Sequence, residues 1–130
     1  MAVVLGERPV LPVNAVDFIS ADGGDGTNPD DDYLDVGELF TGTPTITEAG
    51  TFLGWDLNGA AVYLASTDLT LANKVVNTAS IVVKGNTVAA GHALQCKISG
   101  QQAGKTYGIR FLCGTDAGRT VSFDVLIKVK

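Results

Sequence analysis

Five aspartates near the start of the chain form its densest group of possible metal ligands: Asp22, Asp25, Asp30, Asp31 and Asp32. Carboxylate oxygens are the hard ligands that Ca²⁺ prefers, and a flexible loop could gather several of them around one ion. The run GGDGTN resembles one copy of a calcium-binding glycine–aspartate repeat, although Asn28 stands where that repeat carries Asp. A single copy cannot stack on others as that repeat must. We therefore assign no metal site and predict an acidic loop facing solvent or a partner, with a weak divalent site as the alternative.

A second motif, GQQAGKT at residues 100–106, resembles a nucleotide-binding P-loop. The P-loop needs four residues between its glycines, whereas three lie between Gly100 and Gly104. It also leads into a helix whose N-terminal N–H groups hold the phosphate, but the following TYGIRFLC alternates like a strand. The sequence therefore predicts a hairpin turn here and no nucleotide cofactor.

No motif brings catalytic groups together in the sequence. His92 is the only histidine, it follows Gly91 at a strand edge, and no GxSxG segment singles out a serine for a Ser–His–Asp arrangement. The aspartates of the acidic loop lack apolar neighbours that would raise the pKa of one of them and create an acid–base pair. We predict that the protein has no catalytic residues and is not an enzyme.

The two cysteines, Cys96 and Cys113, each lie in a strand-like run with apolar neighbours on the same face. Unpaired cysteine is among the most frequently buried residues, so two free buried thiols are expected. A disulfide across adjacent strands is the alternative, because the sequence does not fix the Cα separation. Two cysteines and one histidine cannot supply the four ligands of a structural zinc site.

Trp55, between Gly54 and Asp56, is the candidate aromatic contact. A partly buried position in the core or at its rim is the ordinary expectation for tryptophan. Tryptophan is also enriched at binding hot spots, and with Tyr63 it could form a platform on which a sugar stacks. We include Trp55 among the predicted partner-binding residues.

The elements that must position these residues are strands. From Ala93 to Val129 the runs ALQCKIS, TYGIRFLC and TVSFDVLIKV are separated by the turns GQQAGK and GTDAGR. The last run alternates, which predicts one buried and one wet face. Its apolar face comprises Val121, Phe123, Val125, Ile127 and Val129, and its other face is mostly filled by Ser122, Asp124, Lys128 and Lys130.

Turn chemistry supports this reading of the last hairpins. Gly104 frees the turn before Tyr107, whose ring we expect toward the core with its hydroxyl near the rim. In the following turn, Asp116 can accept a hydrogen bond from the backbone two residues on, and Gly118 supplies a positive φ.

Six further short runs precede these strands: YLDVGELF, TPTITEA, GTFLGWDL, AAVYLAS, DLTLANKVV and TASIVVKG. A spacing of about ten residues with turn residues between runs is typical of a sandwich or small barrel. With 130 residues, 45% of them apolar and 18% charged, the chain has the length for one such domain. Part of the first run, LDVGELF, could instead form one helical turn.

Charge divides the chain into two segments. Residues 1–32 hold seven acidic residues against one basic residue, a net charge of −6, whereas residues 33–130 hold seven against eight, a net charge of +1. Nucleic-acid binding needs a concentrated basic face, which this distribution does not provide. No run of about 18 apolar residues indicates a membrane span, and the first residues lack the basic leader of a secretory signal. We predict an arm with an acidic loop at 1–32 and a folded body at 33–130.

The arm is apolar before its acidic loop. Pro9 and Pro12 exclude a helix interior and favour extended backbone. We expect the arm to dock on a neighbouring chain by adding a strand to a sheet edge, with folding back as an extra strand of the same chain as the alternative. The predicted contact residues are Val3, Val4, Leu5, Val10, Leu11 and Val13.

The order of features from residue 28 to 130 resembles a group of small immunoglobulin-like proteins of tailed bacteriophages. These proteins have an Asp-Pro-Asp-rich entry into a strand, a Thr-Ile pair, a Gly-x-x-Tyr opening of the penultimate strand and a Gly-Arg before the last one. Here the corresponding residues are Asn28 to Leu34, Thr45 to Thr47, Gly104 to Tyr107, and Gly118 with Arg119. The stretch from Gly54 through AAVYLAS is extra to the pattern, and the first 27 residues lie outside it.

The resemblance implies an all-β, immunoglobulin-like antiparallel β-sandwich, here with an extended N-terminal arm. It also implies a non-enzymatic virion component on the capsid surface, assembled in the host cytoplasm. We expect a capsid decoration protein whose partners are the major capsid protein, neighbouring virion subunits or copies of itself, with neither nucleic acid nor membrane. A head–tail or tail subunit, or a displayed receptor- or glycan-binding module, is the alternative.

Overall fold

The computed structural model describes residues 2–3, 10–11, 13, 17–21, 23, 28–83 and 86–130, and this part of the chain is all-β without a helix. The prediction of an all-β chain is confirmed. The strands are β1 (Ala2–Val3), β2 (Val10–Leu11), β3 (Asp17–Ala21), β4 (Thr45–Trp55), β5 (Ala61–Leu64), β6 (Thr70–Val76), β7 (Ile81–Val83), β8 (Asn86–Val88), β9 (Leu94–Ser99), β10 (Thr106–Gly114) and β11 (Thr120–Val129).

The strands form two main sheets and a small hairpin. One sheet has the order β1-β3-β9-β6, the second has the order β2-β11-β10-β4-β5, and β7 pairs with β8. Most pairs are antiparallel, while β1 with β3 and β2 with β11 are parallel. Residues from both main sheets share one hydrophobic core, the arrangement of a β-sandwich.

The apolar face of β11 fills this core, as its alternation predicts. The five predicted core residues of β11 are all buried, and Phe123 stacks on Phe111 of β10 with ring centroids 5.2 Å apart. From the opposite sheet, β9 contributes Leu94, Cys96 and Ile98. Burial of alternating residues from two facing sheets therefore accounts for how they pack.

The other face of β11 is not wet along its whole length. Asp124 and Leu126, which alternate with the core residues, are only 2% and 3% exposed. The prediction of a solvated Asp124 is wrong because its carboxylate accepts hydrogen bonds from Asn28 and Tyr63, which lie outside β11 and cover it. The alternation predicts toward which face of the sheet a side chain points, but not which other residues cover that face.

Three of the predicted strand runs differ from the strands of the structure. The run YLDVGELF forms a turn around Gly37, closed by Glu38 N–H donating to Asp35 O at 3.0 Å, and its only strand pairing is an isolated bridge from Phe40 to Thr115. The runs TPTITEA and GTFLGWDL are one continuous strand, β4, since Gly50 between them pairs with Gly108 of β10. A glycine there signals close contact rather than a turn, because a Cβ at Gly50 would lie 2.4 Å from Leu64 O.

Three strands within residues 1–32, β1, β2 and β3, belong to the two main sheets. Strand β3 pairs with β9 over five residues, and β2 pairs with the end of β11. Leu11 and Ala21 are fully buried in the shared core. In the described residues, the N-terminal segment thus takes the alternative of folding back as extra strands of its own chain.

Candidate binding surface

The outward side of the five-stranded sheet carries the features that could bind a partner. We call this side, opposite the core, the outer face. In β10 and β11 the residues that alternate with the core positions lie on it, among them Arg110 opposite Asp124 and Gly108 opposite Leu126. The polar and apolar parts of this face lie next to one another along the same strands.

A cavity of about 200 Å³ opens on the outer face. It is lined by Val10, Phe52, Thr106, Leu126 and Lys128, from four strands of the sheet, and we call it the apolar groove. Leu126 is its buried residue, whereas Val10 is 38% exposed. Because its walls are hydrogen-bonded strands of one sheet, the groove is formed before any partner arrives, which lowers the entropy cost of binding.

Trp55 extends the apolar groove along β4. Its ring meets that of Phe52 edge-on, with centroids 5.1 Å apart and planes at 67°, a favourable aromatic geometry. The residue remains 44% exposed. The structure therefore brings Trp55 together with Val10, two predicted contacts that are far apart in sequence, with Phe52 between them.

Tyr63 crosses the middle of the outer face. Its ring lies directly over Gly108, where an added Cβ would be 2.2 Å from Tyr63 Cε1. The Tyr63 hydroxyl donates to Asp124 Oδ2 at 3.3 Å. One side of this ring is thus occupied by its own sheet, so Trp55 and Tyr63 share a face without forming an open pair of stacking rings.

An ion pair between the half-exposed Arg110 and the buried carboxylate of Asp124 lies beyond Tyr63. Arg110 binds Asp124 in bidentate fashion, with Nε to Oδ1 and Nη2 to Oδ2 both at 2.9 Å, and this hydrogen bonding raises the pKa of Arg110. Asn28 donates to the same carboxylate and accepts from Ala61 N–H at 3.1 Å, and Asp31 accepts from Asp124 N–H at 3.1 Å. The loop that begins at Asn28 is therefore anchored across β11 and β5.

The remaining predicted contact residues lie at different places in the structure or outside its described residues. Val3 lies in β1 and pairs with Ala21, Val13 is half-buried, and Val4 and Leu5 lie outside the described residues. Leu11 is 1% exposed within the core of its own chain. Its role as a partner contact stays a prediction, and in this structure the parallel pairing with Val129 turns its side chain inward while Val10 faces outward.

Sequence reasoning missed Phe52 and Leu126 as parts of this surface. Leu126 had a visible signal, since it puts a large apolar residue among the polar positions of β11. Such a break in alternation indicates that part of the second face is apolar. Phe52 had none, because its place on the outer face depends on the bulge between Glu48 and Gly50 in the pairing of β4 with β10.

The acidic loop does not assemble a metal centre in the part of the chain that the structure describes, where no three His, Cys, Asp or Glu residues group to hold an ion. Asp22 and Asp25 lie outside the described residues. Asp32 pairs with Arg119 at 3.1 Å, while Asp31 accepts from the backbone of Asp124. These described aspartates thus fasten the loop to the sandwich.

Arg119 organises a second network at the other end of the loop. Its guanidinium donates to both carboxylate oxygens of Glu38 and to Tyr33 O, and the Thr115 hydroxyl donates to Glu38 Oε2 at 2.6 Å. These hydrogen bonds, that of Arg119 foremost, lower the pKa of Glu38 to about 2. The network holds the turn at Gly37 against the β10–β11 hairpin.

That hairpin differs in one detail from the predicted turn. Gly118 has φ +79°, as predicted, but Asp116 does not bond the backbone two residues on. Its carboxylate accepts instead from Leu39 N–H at 3.0 Å, while Thr115 Oγ1 accepts from the N–H groups of Ala117 and Arg119. Asp116 thereby joins the loop to the hairpin.

Tyr107 is buried, with its hydroxyl in a polar cluster at the rim as expected. The hydroxyl donates to Asp68 Oδ2 at 2.8 Å and accepts from Gln102 N–H at 3.1 Å, and Lys105 Nζ lies 3.1 Å from the same carboxylate oxygen. Burial and the hydrogen bond to Asp68 raise the pKa of Tyr107, while the bonds from Tyr107 and Lys105 lower that of Asp68. The cluster closes the turn that resembles a P-loop.

Cys96 and Cys113 are both free and buried, as predicted. They lie in strands β9 and β10 of different sheets, so the alternative of a disulfide across adjacent strands is wrong. Burial raises the pKa of Cys96 to about 12 and also raises that of Cys113. Neither thiol is therefore suited to act as a nucleophile.

Comparison with protein-family models, curated proteins and solved structures gives no match. Within the described ranges, no helix has the length and apolar character needed to cross a membrane. The case for function therefore depends on the outer face itself and on the resemblance in the sequence.

Proposed function

We propose that this chain is a non-enzymatic structural protein of a bacteriophage particle, with an immunoglobulin-like sandwich that binds neighbouring subunits. Capsid decoration is the form we favour, with the major capsid protein as partner and the capsid surface as location after assembly in the host cytoplasm. The observation that carries the proposal is the apolar groove, in which Val10 of the N-terminal segment meets Phe52 beside the exposed Trp55.

The residues that carry the sequence resemblance support it by their structural roles. Asn28 anchors the loop on Asp124, Tyr107 fills the core at one rim, and Arg119 gathers Glu38 and Asp32 at the other. Each residue thus stabilises the sandwich rather than a reaction centre. Proteins that share such residues would share a fold, while the surface residues that determine their partners would differ.

Binding through the outer face is the proposed mechanism. A groove lined by Val10, Phe52 and Leu126 buries apolar surface of a partner, and the neighbouring tryptophan adds an anchor of the kind found at hot spots. Leu11, one residue after Val10, fixes that part of the arm in the core. Val10 is therefore held in position as a contact, and the shell gains stability from many copies of the same interface.

Particle composition and binding of the purified chain test the proposal together. Quantitative mass spectrometry of purified particles should give a copy number comparable to that of the major capsid protein. Val10→Asp should weaken binding of the full-length chain to particles that lack it, because the charge enters the apolar groove. Val36→Asp, at a fully exposed valine in a turn away from the groove, is the matched control.

The outcomes separate the candidates. A copy number typical of a ring or fibre would move the protein to the neck or tail, and absence from particles would refute the virion proposal. Equal binding by both aspartate variants would show that the groove is not the interface.

A receptor- or glycan-binding module is the second candidate, because Trp55 is 44% exposed beside polar turn residues. It predicts that Trp55→Ala abolishes binding to cells or sugars while incorporation into particles is unchanged. Loss of incorporation with unchanged cell binding would favour decoration instead.

A further inference from the structure

The hairpin between β4 and β5 ends in an exposed leucine on a rigid turn. Leu57 is fully exposed at the tip. Asp56 Oδ1 accepts from Asn58 N–H at 2.8 Å and from Ala60 N–H at 3.0 Å, and Asp56 N–H donates to Ala60 O at 2.8 Å. Gly59 completes the turn with φ +81°. The tip therefore presents Leu57 in a conformation that is fixed before binding.

The apolar groove is a suitable receptor for this side chain. Its cavity of about 200 Å³ exceeds the roughly 150 Å³ that holds a benzene molecule in a protein core. Lys128 lines the groove, while Asp56 precedes Leu57 in the turn. A leucine entering the groove thus brings a carboxylate toward an ammonium group.

Within one molecule, the tip of the hairpin does not occupy the apolar groove, because Leu57 is fully exposed. Residues 57–67 contain no charged residue, although the chain carries a net charge of −5. Two copies can therefore approach along this hairpin without placing like charges in contact.

We propose that the tip of the β4–β5 hairpin docks in the apolar groove of a second copy of this chain, with Leu57 in the cavity and Asp56 facing Lys128. This contact extends the proposed function, since it identifies one neighbour on the outer face as the protein itself. A contact between two different patches either closes into a ring or a reciprocal dimer, or continues as a row of subunits.

Self-association of the full-length chain tests the contact. Sedimentation equilibrium should show concentration-dependent association, and Leu57→Ser and Lys128→Glu should each raise the dissociation constant by about tenfold or more. Val36→Ser and Lys130→Glu are the matched controls, because each makes the same kind of change at another exposed site. Both controls should associate like the wild type, and all four variants should unfold at a similar denaturant concentration.

Mixing adds a test that loss of association alone cannot give. The Lys128→Glu chain keeps an intact tip, and the Leu57→Ser chain keeps an intact groove. Equal parts of the two should associate more strongly than either alone, because one correct contact can form between them. No gain on mixing would refute docking of tip into groove.

Two further results would overturn the self-contact. One is a wild-type chain that stays monomeric up to its solubility limit, and the other is a Leu57→Ser chain that associates like the wild type. If the wild type is monomeric but Leu57→Ser loses particle binding, the tip docks on another virion protein and the proposed function survives. Self-association by a chain that is absent from particles would instead refute the proposed function alone.

Discussion

Gly108 shows how a single missing side chain shapes the outer face. Tyr63 reaches Asp124 only because its ring lies on the bare backbone of β10 at this residue. We expect Gly108→Ala to lower the free energy of unfolding by about 1–3 kcal/mol, since the new methyl group displaces the ring. Gly114→Ala in the same strand is the control, because its nearest atom would be 3.9 Å away.

Urea unfolding of both variants, alone and combined with Tyr63→Ala, provides the measurement. Without the ring, the cost of Gly108→Ala should fall to that of the control. An equal cost with and without the tyrosine would mean that the glycine serves β10 itself rather than the contact with Tyr63.

We expect Glu38 to make the free energy of unfolding depend on pH in the acid range. Its pKa is lowered from 4.5 to about 2 in the folded protein, so the folded state binds its proton less tightly than the unfolded state. The stabilisation is therefore fully present above about pH 4.5 and is lost as the pH falls toward about 2. Glu38→Gln should flatten this part of the pH profile of unfolding.

Asp30→Asn is a matched control for this profile, because Asp30 is an exposed carboxylate of the same loop. Its profile should follow the wild type. If Glu38→Gln leaves the acid dependence unchanged, the Arg119 network does not form in solution as described.

At the scale of elements, β2 can be tested through its two residues. Leu11 lies in the core and Val10 in the apolar groove. We expect Leu11→Ala to lower the free energy of unfolding by about 2–5 kcal/mol and Val10→Ala by about 1 kcal/mol or less. Chemical unfolding at several protein concentrations is the measurement.

Protein concentration distinguishes the two ways in which this strand can pair. If β2 pairs within its own chain, the loss of unfolding free energy caused by Leu11→Ala is independent of protein concentration. If a neighbouring chain supplies this strand, the loss of unfolding free energy grows on dilution, because dissociation then precedes unfolding. The second result would restore the expectation that the arm docks on another chain.

Strand identity was readable from the sequence wherever one face of the strand is buried and the other is wet. β9, most of β10 and the two ends of β11 have this pattern, and all three strands follow the predicted runs closely. The prediction of a strand at YLDVGELF is wrong because this segment forms a turn, in which Glu38 accepts a hydrogen bond from Arg119 of a distant hairpin. Local alternation contains no information about such a partner.

The candidate binding surface was predictable only in part, for a related reason. Trp55 and Val10 were expected as contacts from their residue types, but their placement around Phe52 requires the pairing of β2 with β11 and of β10 with β4. The inward direction of Leu11 was not predictable, because the parallel pairing of two residues with β11 sets it. Sheet order, not composition, decides which apolar residues face outward.

At the scale of the whole molecule, the two cysteines report whether the N-terminal strands are integral to the fold. Cys96 pairs in register with Ile19 of β3, whereas Cys113 lies opposite Val121 in the other sheet. Both thiols are buried in one core, so one cooperative opening should expose them together.

We expect both thiols to resist a thiol reagent in the native protein and to react at the same rate, set by global unfolding. Mass spectrometry of the partly labelled protein, after digestion, gives the rate for each cysteine. Cys113 is the internal control, because its strand β10 pairs with β11 and β4 rather than with β3. Faster labelling of Cys96 would mean that β3 opens separately, and the first 32 residues would then be a detachable arm rather than part of the sandwich.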